Sequence, residues 1–191
     1  MIRLLTRTAV FAVGLLLGAA SYAQTSQPNA PNRAAPFTAA KDTLNQEDQT
    51  FVKEAGIGGI AEVELSKLAQ KSDNAEVKSF ADRMIRDHTA ANQELTAIAT
   101  GLGLEVPKAL DAEHERLRQK LQSLHGKAFD EQYMNGMVED HEKVVKLFQQ
   151  EERSGHNPEL KQFAQKTLPT LQDHQKMALE LSHKVSQAAA K

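Results

Sequence analysis

Cysteine is absent from the 191 residues, which excludes a disulfide framework, a thiolate metal ligand and a lipid-bearing cysteine behind a leader. Tryptophan is missing too, and aromatics make up only 5% of the chain. With few clusters of β-branched residues, this is not the composition of a sheet protein. Ala, Leu, Gln, Glu and Lys dominate instead; they cost least in a helix, so an all-α fold is expected. A basic surplus is also lacking. The net charge is -2 and the Lys and Arg residues are scattered, which leaves nothing to neutralise a phosphate backbone and excludes nucleic acid as a partner. Without cysteine, and without a serine in a strand-turn-helix setting, nothing signals acyl transfer. No glycine-rich phosphate loop occurs either.

Long apolar runs are missing except at the start. Residues 1–23 have the form of a secretory leader: Arg3 and Arg7 precede an apolar run from Ala9 to Ala20, and Ser21, Tyr22 and Ala23 make a small-x-small cleavage site. The alternative, an uncleaved anchor, is disfavoured because the run falls short of the roughly 20 residues that span a bilayer. Export to the periplasm or outside the cell is therefore expected, with no transmembrane span in the mature chain. Residues 24–42 follow as a flexible tether rich in Ala, Asn, Gln and Ser, with Pro28, Pro31 and Pro36.

From residue 43 to 188 the pattern is that of a helical bundle. Thr43 to Gln46 reads as a capping box that opens a first helix running to about Lys71. Ser72 and Asp73, with Glu76 behind them, open a second that Gly101 and Gly103 end. Along it Val77, Met84, Ala91 and Ile98 recur every seven residues, and Ala81, His88, Leu95 and Leu102 form the companion row. A shorter helix is expected from Asp111 to Leu124, ending at Gly126. A third long helix runs from Lys127 to Ser154 and stops at Gly155, its inward row passing through Met134, His141 and Phe148. Asn157 and Pro158 start the fourth, which extends to about Ser186 and is expected to bend or break at Pro169. In it Leu160, Thr167, His174 and Leu181 share a row.

The chain also repeats itself. Glu76, Val77, Lys78, Ser79, Phe80 and Ala81 reappear as Glu159, Leu160, Lys161, Gln162, Phe163 and Ala164, and Gly59 to Glu64 aligns with Gly136 to His141. Two duplicated helical hairpins follow, and residues 102–126 are long enough to cross over between them, as in ferritin-like four-helix bundles.

Phe51 to Glu64, Phe80 to Thr89, Gly126 to Asp130, Asp140 with His141, and Thr167 to His174 together resemble the exported domain-of-unknown-function 4142 family over roughly residues 45–182. The resemblance implies a ferritin-like bundle, often labelled an outer-membrane protein, with no established activity. Met84 to His88 is also similar to the Met-Ile-x-His-His core of domain of unknown function 305, a helical family with copper-handling members. The second histidine of that core falls on His88, and Asp87 stands in place of the first.

Asp precedes His three times, at 87–88, 140–141 and 173–174, once in each of three long helices. Each histidine lies on an inward row, and the first helix offers Glu64 where the repeat places His141. Three imidazoles and a carboxylate suit a late first-row metal, whether copper, zinc or iron. Met84, Met137 and Met177 share a helix face with one histidine each, and thioethers would bias such a site toward Cu(I). The alternative is polar packing, in which methionine fills space and buried neutral histidines bond nearby carboxylates. The ferritin di-iron pattern does not carry over, because Glu-x-x-His would need a glutamate at Ile85, Val138 or Leu171. Asp87, Asp140 and Asp173 turn about 100 degrees from their histidines and should bond a neighbouring helix or water. His114, His125, His156 and His183 read as solvated surface. Gly56, Gly58 and Gly59 allow either a close helix approach or a kink. A metal-binding exported protein and a metal-free structural or interaction protein of the envelope, tied to stress or to an envelope partner, are the two leading readings. A redox enzyme trails both.

Overall fold

The computed structural model describes residues 44–189, with side chains to residue 187. The expected leader and tether, and Thr43 of the expected capping box, lie outside the described residues. Five helices follow in order: α1 (Gln46–Ala69), α2 (Ala75–Gly101), α3 (Ala112–Ser123), α4 (Gly126–Ser154) and α5 (Pro158–Ala189).

Asparagine and aspartate side chains set most of the helix starts. Asn45 accepts from the Asp48 amide at 2.7 Å, Asn74 from Glu76 at 2.9 Å, Asp111 from His114 at 2.9 Å and Asn157 from Glu159 at 3.0 Å. Each satisfies an amide that the first turn leaves without a partner. Two caps therefore differ from expectation. Asn45 replaces Thr43, and Asn74 replaces Ser72 or Asp73, because the Ser72 hydroxyl is committed to Asp130 of α4 at 2.6 Å. The end of α2 is a Schellman turn: Gly103 has φ 74, its amide reaches the Thr100 carbonyl at 3.1 Å, and the Leu104 amide reaches Ala99 at 2.8 Å. Gly126, expected to end the short helix, begins α4 with φ 56. Helix α5 continues through Pro169. The carbonyl that this proline cannot serve belongs to Gln165, an exposed residue, so the missing bond falls on the solvent side of the helix and no break is forced.

α1 and α2 form one hairpin and α4 and α5 the other, with α1 packed on α4 and α2 on α5. Ion pairs and caps give the directions. Asp48 at the start of α1 accepts from the His156 and Asn157 amides between α4 and α5, and Glu76 at the start of α2 pairs with Lys184 near the end of α5. Each helix thus runs antiparallel to both neighbours, and the connection carrying α3 must travel the length of the bundle. This is the ferritin-like arrangement with one long crossover. The connector packs closely, since a Cβ on Gly56 would meet Val106 at 2.5 Å and one on Gly136 would meet Leu117 of α3 at 2.8 Å.

Two apolar clusters fill the interior. One holds Leu65, Val77, Phe80, Met84, Tyr133, Met134 and Met137; the other holds Phe51, Val52, Leu95, Phe148, Leu160 and Phe163. In the second, Phe51 meets Phe148 edge-on at 4.9 Å. In the first, the buried Tyr133 hydroxyl is satisfied by Ser66 at 2.7 Å. Phe51→Ala should cost about 3–5 kcal/mol through lost burial and a cavity. Tyr133→Phe, which leaves Ser66 without a partner, should cost about 1–2 kcal/mol. Urea unfolding of both variants beside the parent would show whether that ranking holds.

Candidate metal centre

On α2, α4 and α5 the two apolar clusters are separated by a gap, and a histidine occupies it. Helix α2 passes from Met84 to Leu95 across His88, α4 from Met137 to Val145 across His141, and α5 from Leu171 to Ala178 across His174. These histidines are 5%, 0% and 1% exposed. Their ring centroids lie 5.6 Å (His88 to His141), 5.3 Å (His88 to His174) and 5.5 Å (His141 to His174) apart. One nitrogen from each ring lies within 4.8 Å of one from both of the others, and among the described residues this is the group so arranged.

The outward nitrogens are tied down. His141 Nδ1 lies 2.8 Å from the Met137 carbonyl and 3.3 Å from Glu62 Oε1, and His174 Nε2 lies 3.0 Å from Asp87 Oδ2. A neutral imidazole has a single N–H, and a carbonyl can only accept. The proton therefore sits on Nδ1 of His141 and Nε2 of His174, and the lone pairs on the opposite nitrogens. Those two nitrogens, His141 Nε2 and His174 Nδ1, are buried without a protein hydrogen bond, as is His88 Nε2.

Burial also keeps the rings neutral. Desolvation, reinforced by the two neighbouring rings, holds His88 well below the usual imidazole range. It pushes His141 down to about 4 against the pull of the Met137 carbonyl. His174 is lowered by the same cause, with the Asp87 hydrogen bond opposing. At neutral pH all three therefore carry lone pairs, the form in which imidazole ligates a metal.

The carboxylates fall into other roles. Glu64 is not part of the cluster. It is half exposed on the flank of α1 and pairs with Lys67 at 2.7 Å. The buried acid of α1 is Glu62, 2% exposed, with neither oxygen hydrogen-bonded and its carboxyl pushed well up by burial and by nearby Asp140. Two positions along a helix is a rotation of about 200 degrees, so Glu62 and Glu64 cannot face the same way. Sequence reasoning missed Glu62, although the seven-residue row Ala55, Glu62, Ala69 singles it out. Its contact is with the outward nitrogen of His141, as Asp87 contacts that of His174, so both acids stand behind rings instead of completing the cluster.

Asp87 reaches across from α2 to α5 and is also held by Arg83 at 3.2 Å. Asp140 reaches from α4 to α3, 3.5 Å from His114 Nε2, while His114 Nδ1 meets Asp111 at 2.7 Å. His114, expected on solvated surface, is thus a 12% exposed side chain between two acids. The bond to Asp140, ahead of the pull of Asp111, raises its affinity for a proton. Asp173 lies on the surface, 3.9 Å from Arg83. Met84 and Met137 are buried in the apolar cluster on one side of the histidines. Met177 is only partly buried, and its sulfur accepts from Arg83 at 3.2 Å.

Fold and site together define a ferritin-like helical bundle with a buried three-histidine layer at mid-height. The sequence profile of a domain of unknown function, DUF4142, matches residues 33–181, and the chain belongs to that family. Among solved structures it is similar to the crystal structure of a DUF305 fragment from Deinococcus radiodurans, with a TM-score of 0.65 and 15% identity over 74% of this chain and 98% of that one. At that identity the likeness speaks for the fold. No curated protein matches the chain.

The layer should leave a signature in the pH dependence of metal-free stability. A histidine with a lowered folded-state pKa favours the unfolded chain as pH falls below about 6.5, by about 1.4 kcal/mol per pH unit until its folded value is reached. A glutamate with a raised pKa does the opposite above its ordinary value of 4.5; Glu62 is one and Glu151, pushed to about 7 by burial beside Asp48 and Glu47, is another. Between pH 5 and 6.5 the histidines oppose the two acids, His88 and His141 being lowered far enough to act across that window. Above that the histidines no longer contribute a slope, so metal-free stability should peak near pH 6.5 to 7 in urea titrations under chelator. A profile rising steadily to pH 9 would contradict this assignment.

Proposed function

We propose that this chain is an exported helical-bundle protein that binds one divalent first-row transition metal ion, copper, zinc or iron, on His88, His141 and His174. The observation that carries the reading is the convergence of three buried imidazoles, His174 orientated by the Asp87 carboxylate and His141 by the Met137 carbonyl, each ring with a buried nitrogen that has no protein partner. A buried polar atom without a partner costs about 1–3 kcal/mol, and three in one place call for a ligand that all of them can share. A carboxylate behind a histidine, fixing its tautomer and raising its basicity, is the usual outer support of a metal site.

The donor set favours a borderline divalent ion. Imidazole suits Cu(II), Zn(II) and Fe(II) alike, whereas Cu(I) prefers sulfur, and Met177 is turned to Arg83. Metal–nitrogen bonds of about 2.0–2.1 Å bring tetrahedral donor atoms to about 3.4 Å from one another, so the rings close in by a small adjustment. The alanine, serine and proline content of residues 24–42 and the form of residues 1–23 support delivery to the periplasm, with the bundle tethered behind a removed leader. Among the described residues no helix is long and apolar enough to cross a membrane.

In the metal-free alternative the same layer is polar packing in an envelope scaffold. The bonds of His141 and His174 to Met137 and Asp87 favour it, and it leaves the other three nitrogens unexplained.

The mature chain, residues 24–191, purified without a histidine tag and offered Cu(II), Zn(II) and Fe(II), should retain one ion per chain by elemental analysis. A variant with alanine at 88, 141 and 174 should retain none while keeping its helical circular dichroism. Asp87→Asn should weaken binding about 10- to 100-fold. At a free-ion level 100 times the dissociation constant, the parent should gain about 2.7 kcal/mol of stability. No retained ion in the parent would leave the scaffold reading standing.

A further inference from the structure

We propose that the metal on His88, His141 and His174 keeps one coordination position for an exogenous ligand of about three heavy atoms, taken from a cavity beside His88 and reached past Asn92. This rests on the metal reading above and concerns what that ion can bind.

The protein supplies three donors and no fourth from the acids. Glu62 lies against Nδ1 of His141 and Asp87 against Nε2 of His174, both nitrogens already engaged by the protein, and neither acid joins the three-histidine group. First-row ions take four ligands or more, and three protein donors with an open place is the arrangement of sites that exchange ligands. On the side of the histidines toward Phe148 and Phe163 lies a cavity of about 30 Å³ with mostly apolar walls, into which His88, Glu62, Asn92 and Asp140 bring the polar groups. A volume of that size holds one or two waters, or one molecule of about three heavy atoms. Its polar groups have capacity to spare, because both oxygens of Glu62 and Oδ2 of Asp140 are buried without a partner. The cavity therefore presents hydrogen-bonding groups to whatever the ion holds there.

On the α1–α2 side the cavity and a surface groove share one lining residue. Asn92 lines both the cavity and an outer groove bordered by Ile60, Thr89 and Gln93. Its amide sits where only a glycine allows it, since a Cβ on Gly59 would lie 1.9 Å from Asn92 Oδ1. Glu64, beside the same groove, is already paired with Lys67, so the passage selects by size and polarity and not by charge. Water and small anions such as azide or cyanate fit; imidazole and phosphate exceed the space.

The test uses the Co(II)-loaded mature chain, whose visible spectrum reports its coordination. Azide should shift that spectrum saturably and imidazole should not. Asn92→Leu, which fills the passage with an apolar side chain, should slow azide association about tenfold or more. Asn92→Ala should speed it, and cobalt content should be the same in both. Gly59→Ala, which displaces the Asn92 amide, should behave like Asn92→Ala and serves in place of any variant that loses its helical signal. A cobalt spectrum indifferent to azide, or association rates equal in all variants, would overturn this proposal and leave metal binding intact. Failure of the parent to hold cobalt, zinc or copper at all would overturn both.

Discussion

Three neutral imidazoles and a carboxyl, buried together where an α-helical bundle would ordinarily place leucine, are the constraint around which the rest of this structure is arranged. Burying polar groups is tolerable only with partners at hand, and the surrounding residues serve that need. Asp87 crosses from α2 to meet His174, the Met137 carbonyl and Glu62 meet His141, and Arg83 holds Asp87 in turn. The apolar material is divided accordingly, with Tyr133 and the buried methionines on one side and the Phe51, Phe148 and Phe163 group on the other. Two moderate cores flank a polar waist.

How legible this was differs from feature to feature. The four long helices follow from seven-residue rows and from glycines at their ends, because helix period and apolar burial act within a single element. The inward direction of His88, His141 and His174 was likewise readable, since each shares a row with leucine, methionine or alanine. The acid on α1 was not. The internal repeat sets Glu64 against His141, yet duplication conserves hairpins better than it conserves side-chain heights. The register that matches Glu76 with Glu159 sets His88 against Leu171, three residues from the histidine it actually faces. Burial rows within α1 were the better guide and point to Glu62. His114 was misplaced for a related reason: its partner Asp140 comes from α4, and no local pattern announces a contact made by a connector lying along the bundle.

The kinship of the chain helps with the scaffold and little with the chemistry. A bundle of this kind hosts many unrelated sites, and the likeness to the DUF305 fragment is one of fold. Donor atoms without partners, the neutral state of their rings and the acids beside them are what favour an ion. The ferritin comparison is instructive by contrast. There a glutamate from each of four helices, with a histidine on two of them, holds two irons; here three imidazoles converge without a carboxylate among them, and the acids stand beside the rings.

The distribution of the histidines between the hairpins has a mechanical consequence. One is on the first hairpin and two are on the second, and the connection between the hairpins is the longest in the fold. The turns at 70–74 and 155–157 close each hairpin locally, so the weakest point of the topology is the seam between them. A shared ion there would act as a rivet across nearly half of the chain's 191 residues, closing a loop whose entropy grows only slowly with length. The two arms would then lose the freedom to hinge apart, at a point midway along their shared face, where leverage from either end is least.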